Sequence, residues 1–586
     1  MEEIQERLKK LRQAMHKAGV YAYYIPTADF HHSEYVNDYF KVREFFSGFT
    51  GSAGYLLVTE KEAFLWTDGR YFIQAEKELE GSGIRLCKMD TEGYDSIEDT
   101  LKKMPKDAVL GFDGRTVSAS LAKSFKKALP SGKLKYKEDL TEKIFLRPKL
   151  PQSVIENLPE DIAGESAVDK IGRLREHLKE NWADAIFISR LDDIAWLLNI
   201  RGRDIPCNPV VLAYLYVDME KTWLFTGDGK TDIAYHGALV RPYQEALRFM
   251  KSSSVKGRVL LDPGSVSVIF EKAIKKHAKP VHGKNPTEAF KAVKNPVEIR
   301  HLTDIFLKDS LALTRFIRQL TTQDKSFTEM SAADALEAER KKIREYREPS
   351  FPAIAAYGPN GAIIHYEPSH EHETTVERKG LFMVDSGGQY LGGTTDVTRT
   401  IVMGELTPEE KQAFTDTALG MLDILNAVFL KGTSGMNLDF LARRRFWNKG
   451  MDYKHGTGHG VGYMLNVHEG PQAIRMRKAE EELKPGMLVS DEPGLYREGR
   501  FGVRTENILL VEEAQRTGDG VFYRFKNLTW VPIDHKGMDL EKMSREELAM
   551  YEAYQKETAR HLRPHLSPEE FAWLQEYAGI AAGEGE

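Results

Sequence analysis

Cysteine is nearly absent: Cys87 and Cys207 are the only two in 586 residues. Neither has a second cysteine or a histidine at zinc-ligand spacing, which argues against a thiolate metal site and a disulfide-stapled scaffold. Far apart in sequence, the two are expected as free buried thiols in a reducing compartment. No run of about 18 apolar residues occurs, so no membrane-spanning helix is expected. Residues 1–12 are charged and amphipathic, with Ile4, Leu8 and Leu11 on one side. They lack the apolar stretch of a secretory signal, and a cytoplasmic protein is expected. Charge of one sign is also scarce, since 82 basic against 88 acidic residues leave a net charge of −6. With no basic tract carrying interleaved aromatics, a nucleic-acid partner is not expected.

What is present is enough chain for several cores, because domains usually run about 50–250 residues. The pattern predicts three. Residues 1–151 alternate helix-like and strand-like segments, including Phe46-Ser-Gly-Phe-Thr-Gly-Ser-Ala-Gly54, a strand over 55–58 and Asp68-Gly69, a hairpin or strand-exit signal. Residues 152–294 repeat that order loosely: a helix over 167–181, then strands over 185–189, 210–217 and 222–226. Two related α/β domains, or a chance likeness of two α/β units, both fit. Residues 295–586 form the third domain, opening on Asn295-Pro296 and a long amphipathic helix with Leu302, Ile305, Phe306, Leu313 and Phe316 on one face. Two short helices are expected at its end, over 544–561 and 567–577. The fold class is thus α/β, α+β when taken whole.

All the residues suited to chemistry lie in that last domain. The apolar strand Leu381-Phe-Met-Val runs straight into Asp385, and an isolated buried carboxylate is costly unless paired or bound to a metal. After a glycine-rich turn, Asp396 heads the β-branched run Val397-Thr-Arg-Thr-Ile-Val402. A second pair follows the same plan. Glu492 ends a strand broken by Pro493-Gly494, and Glu506 lies in a strand expected to run over 501–511. Alternation puts Glu492 on the face of Ser490, and Arg504 on the face of Glu506. Between the pairs stands His455-Gly-Thr-Gly-His459-Gly-Val-Gly462, where four glycines argue against a zinc-binding helix and for close backbone approach around His459. Four carboxylates and one imidazole balance two divalent cations, and such hard donors suit Mn²⁺, with Co²⁺ or Zn²⁺ as alternatives. His370 and His372 look like ligands but are expected in a solvated loop.

These segments resemble the creatinase/aminopeptidase family with the pita-bread fold (M24), and most nearly its long, three-domain aminopeptidase P branch. The likeness covers nearly the whole chain and runs through Gly48 to Gly54, Trp66 to Tyr71, Ile194 to Gly202, Gly358 to Tyr366, Asp385 to Tyr390, Thr394 to Arg399, His455 to Gly462, Asn466 to Pro471, Asp491 to Gly494 and Arg504 to Glu506. The resemblance implies two related N-terminal α/β domains ahead of a pita-bread catalytic domain, a homodimer, and peptides with proline at position two as substrates. It further implies that Asp385 chelates one metal, that Asp396 and Glu506 bridge both, and that His459 and Glu492 complete the other. A hydroxide generated between the metals would attack the carbonyl before proline, with Glu492 moving the proton to the departing nitrogen. His468 is implied as the transition-state donor, with His365 near the substrate and His455 lining the site. Arg504 is expected to hold a metal carboxylate. The alternatives are a prolidase restricted to Xaa-Pro dipeptides and a non-catalytic interaction module on the same fold.

Overall fold

A computed structural model of the chain describes residues 2–227, 237–370 and 373–581. The residues fall into two compact units, Met1–Pro159 with Glu165–Thr287, and Glu160–Gly164 with Glu288–Glu586.

The first unit holds two six-stranded sheets. One runs Arg85–Lys88, Ala63–Thr67, Tyr55–Thr59, Ala22–Pro26, Val109–Gly111, Lys133–Lys135. The other runs Ala238–Pro242, Thr222–Thr226, Ala213–Asp218, Ala185–Ile188, Gly257–Leu261, Ala278–His282. In both, the three consecutive central strands pair antiparallel and the flanking strands join in parallel. Shared order and shared sense make these two copies of one α/β plan, as two related domains require. The first helix, Glu2–Ala18, buries Ile4, Leu8, Leu11 and Met15 against the first sheet's core. Asp68-Gly69 leads from a strand into the helix Phe72–Glu78 rather than into a hairpin.

In the second unit the long helix Pro296–Thr322 starts on a capping box: the Asn295 side chain accepts from Val297 and Glu298, and Glu298 reaches back to the Asn295 amide. Its own Leu313, Phe316, Ile317 and Leu320 are buried, packed with Phe382, Val384 and Ile401 of the sheet Ile354–Tyr357, Leu381–Ser386, Val397–Val402. A four-stranded sheet orders Val428–Leu430, Gly520–Asn527, Asn507–Thr517, Leu488–Asp491, and Pro408–Leu425 and Gly435–Trp447 are its neighbouring helices. The C-terminal helices are Arg545–Leu562 and Pro568–Ala578, each on a serine capping box. The strand expected over 501–511 is two strands. Phe501–Arg504 pairs with Gly494–Arg497, whereas Asn507–Thr517 pairs with Leu488–Asp491. The break falls at Thr505 and Glu506, because one strand serves two sheets there. No described helix is long and apolar enough to cross a membrane.

Candidate metal centre

The sheets of the second unit deliver their acids to one place. One oxygen from each of Asp385, Asp396 and Glu506 lies within 4.8 Å of the others. The same holds for ligand atoms of His459, Glu492 and Glu506, and of Asp396, His459 and His468. Asp385 is the last residue but one of a strand buried along its whole length, and its partner across the ladder is Thr398. Asp396 stands just before that partner strand, so antiparallel pairing brings the two aspartates together.

One oxygen of Asp385 accepts from Arg504 Nη2 at 2.6 Å, and one oxygen of Glu506 accepts from Thr398 Oγ1 at 2.8 Å. The other two, Asp385 Oδ1 and Glu506 Oε1, are buried without a hydrogen-bond partner among the described residues. Orphaned buried carboxylate oxygens are rare because each forfeits its hydration. Cations bound between them would remove that penalty, so the donor set fits a two-metal site.

Burial pushes Asp385 up to about 6, against the pull of Arg504 and with added repulsion from Asp396 and Glu492. Burial and the same like charges lift Glu506 well above the carboxylate range. Burial opposes the charge on His459, but its contacts with Asp396 and Glu492 outweigh it and hold the imidazolium. Glu492 is raised by burial and lowered more strongly by His459 and Arg504, so it stays ionised.

His459 lies in the short strand Gly458–Gly460. Its Nδ1 is 2.9 Å from Gly460 O, where only N–H can bond; that fixes Nε2 as the ring atom facing Asp396 Oδ2 at 3.5 Å and Glu492 Oε1 at 3.3 Å. The glycines on either side act by lacking a side chain. A Cβ on Gly458 would lie 1.9 Å from Ser490 O, and one on Gly460 would lie 2.3 Å from Glu469 O. Ser490 Oγ accepts from the His459 amide at 2.9 Å and donates to Glu492 Oε1 at 3.1 Å, tying two candidate ligands together.

His468 sets its ring edge-on to His459, centroids 4.3 Å apart. His365 follows Ile364, whose carbonyl accepts from Arg504 Nη2 at 3.3 Å. His455 is not in any of the metal-binding groupings. Its Nδ1 donates to Gly456 O at 2.7 Å, its Nε2 accepts from the Tyr496 hydroxyl at 2.8 Å, and burial lowers it to about 4, so it is neutral. His370 is exposed and outside the cluster, while His372 lies outside the described residues.

Three contributors were not singled out by the sequence. Tyr496 joins His455 to Arg504, accepting from Arg504 Nη1 at 2.6 Å. Gly494, two residues earlier on the strand, leaves the room for that hydroxyl, and glycine two residues before an aromatic was the available signal. Thr398 accepts from Arg504 Nε at 3.3 Å while donating to Glu506. Arg399, wholly buried, donates to the Glu506 carbonyl at 2.7 Å and to Val531 O and Tyr554 at 2.8 Å each, fixing the main chain at the strand break.

Family models match the chain almost end to end: creatinase/prolidase N-terminal domains over 7–144 and 146–298, metallopeptidase family M24 over 306–513, and the C-terminal region of peptidase M24 over 521–579. A probable Xaa-Pro aminopeptidase P of Laccaria bicolor is 39% identical over 97% of this chain and 92% of its own length. Xaa-Pro aminopeptidase 1 of Dictyostelium discoideum is 35% identical, covering 96% of this chain and 93% of the relative. Among solved structures, the X-prolyl aminopeptidase of Caenorhabditis elegans, described as a cytosolic enzyme with a di-nuclear active site, superposes with a TM-score of 0.92 at 32% identity over 99% of this chain and 100% of that one. With its creatinase-type N-terminal domains, its M24 catalytic domain and full-length relatives of this kind, the chain belongs to the aminopeptidase P branch of metallopeptidase family M24.

Proposed function

We propose that this chain removes an N-terminal residue that precedes proline, using two divalent cations held by Asp385, Asp396, His459, Glu492 and Glu506. The observation that carries the reading is the pair of orphaned oxygens, Asp385 Oδ1 and Glu506 Oε1, inside a cluster of four acids. Oxygen donors with one imidazole and no thiolate favour Mn²⁺, with Co²⁺ or Zn²⁺ as alternatives. When bound, the cations supply Lewis acidity and bring the pKa of water towards neutrality. The protein's own residues do the rest. Glu492, kept ionised by its neighbours, takes a proton from water and passes it to the proline nitrogen, which must be protonated to leave as a secondary amine. His468, edge-on to His459, donates to the oxygen on which charge develops. His365 contacts the substrate, and neutral His455, through Tyr496, keeps Arg504 oriented on Asp385.

The test is hydrolysis of a small panel of peptides, with and without proline at position two, by metal-free and Mn²⁺-loaded protein. Cleavage confined to loaded protein and to Xaa-Pro-Xaa peptides is expected. Strict preference for the dipeptide would make the chain a prolidase. No hydrolysis by loaded protein would favour a non-catalytic interaction module.

A pH dependence follows from the raised carboxyls. The proton on Asp385 stabilises the metal-free fold below the ordinary carboxylate range, and that stabilisation is lost as pH rises through about 6; Glu506, lifted well above that range, acts in the same direction. Cations displace the same protons, so Mn²⁺ affinity will strengthen between about pH 5 and about pH 7 with protons released on binding. Calorimetry in buffers of differing ionisation enthalpy measures both; affinity that is flat across this interval would contradict the assignment.

We read the chain as three domains, 1–151, 152–294 and 295–586; the two like sheets and the separate family matches support this. We also propose a cytoplasmic homodimer. Met436, Phe440 and Trp447 stand exposed on the helix Gly435–Trp447, an apolar face that a second copy would cover. Sedimentation as a monomer at micromolar concentration would refute the dimer.

A further inference from the structure

Glu329 is a carboxylate with no solvent exposure that the chemistry above does not use. It is the first residue of the helix Glu329–Arg340. One oxygen accepts from the Tyr357 amide at 2.7 Å and Asn360 Nδ2 at 2.9 Å. The other accepts from the Tyr366 hydroxyl at 2.8 Å and the Thr374 amide at 3.2 Å. The Glu329 amide in turn donates to Thr374 O at 3.0 Å. All four side-chain partners are neutral donors, and a carboxylate, which only accepts, is the side chain that can serve four donors at once.

Three of those partners belong to the segment that carries His365. The segment is pinned on its other flank as well. Ile364 O accepts from Arg504, and a Cβ on Gly502 would lie 1.7 Å from Gly361 O, so the two backbones touch. His365 therefore stands between two anchored neighbours, Ile364 tied to the Arg504 guanidinium of the metal centre and Tyr366 tied to Glu329.

We propose that Glu329 is a positioning residue for His365, fixing the loop from Tyr357 to Tyr366 so that the imidazole meets the substrate. The proposal rests on reading the site as a peptidase centre. Glutamine at 329 keeps the size but turns an NH₂ towards at least one pair of donors, so the loop loses its register without losing its packing.

The test is a double-mutant cycle on kcat/KM for an Xaa-Pro-Xaa peptide, using Mn²⁺-loaded wild type, Glu329→Gln, His365→Ala and the double variant. Glu329→Gln is expected to lower kcat/KM by about tenfold or more. In the His365→Ala background the same change should cost little further. The melting midpoint, read in parallel, should fall equally in both backgrounds, because a purely structural loss does not depend on His365. Tyr366→Phe, which removes one bond to the carboxylate, should show the same coupling more weakly and serves alone if Glu329→Gln does not fold. An active wild type with equal, additive losses in both backgrounds would overturn the proposal alone. An inactive loaded wild type would overturn the peptidase reading and the proposal with it.

Discussion

Glutamine in place of Glu492 will abolish turnover, lowering kcat by about a thousandfold or more, while the protein still folds. The carboxylate has two duties that an amide cannot perform. It contributes charge to the cluster shared with His459 and Glu506, and it is the group that stays ionised while its neighbours take up protons. An amide neither accepts the proton from water nor returns it to the leaving nitrogen. The packing is little disturbed, because Oε1 receives the Ser490 hydroxyl and faces His459, contacts that an amide oxygen can keep. Hydrolysis of an Xaa-Pro-Xaa peptide, with bound metal measured by emission spectroscopy and folding by circular dichroism, checks it. A variant that keeps a tenth of the wild-type rate would remove Glu492 from the proton-transfer role.

The second large effect comes from a methyl group. Alanine at 458 sets a Cβ 1.9 Å from Ser490 O, a main-chain atom that cannot swing aside. The strand Gly458–Gly460 must then move off Leu488–Asp491, and that motion separates His459 from Glu492. The expected cost is about 3 kcal/mol or more of stability, with loss of metal binding and activity together. Thermal unfolding and metal titration of Gly458→Ala measure both. Wild-type metal affinity in a folded variant would show that the close approach is not what sets the ligand geometry. Gly456 is a useful comparison, since a Cβ there meets the Arg475 side chain at 3.4 Å and has room.

Much of the centre could be read from the chain because its signals are local. An apolar strand ending in Asp385, a β-branched run after Asp396, Pro493-Gly494 after Glu492, and glycines around His459 each mark a residue by its immediate neighbours. The doubled α/β plan was visible for the same reason, as like segments in like order. What stayed hidden depends on partners far away. Tyr496 matters because His455 and Arg504 converge on its hydroxyl, and Arg399 because it binds carbonyls more than a hundred residues on. Glu329 becomes a loop anchor only through Tyr366 and Thr374, 37 and 45 residues away. Alternation runs on through Thr505 and Glu506 and so predicts one continuous strand over 501–511, whereas the break there comes from pairing with two different sheets.

Residues Glu160–Gly164 belong to the catalytic unit although the chain around them belongs to the other. Asn295, whose side chain caps the long helix, also donates to Ala163 O at 2.8 Å, and the Tyr463 hydroxyl donates to Ile162 O at 2.8 Å. The catalytic unit is therefore discontinuous in the gene. A fragment starting at residue 295 loses part of its own scaffold, and no single recombination point can exchange the catalytic unit whole between relatives.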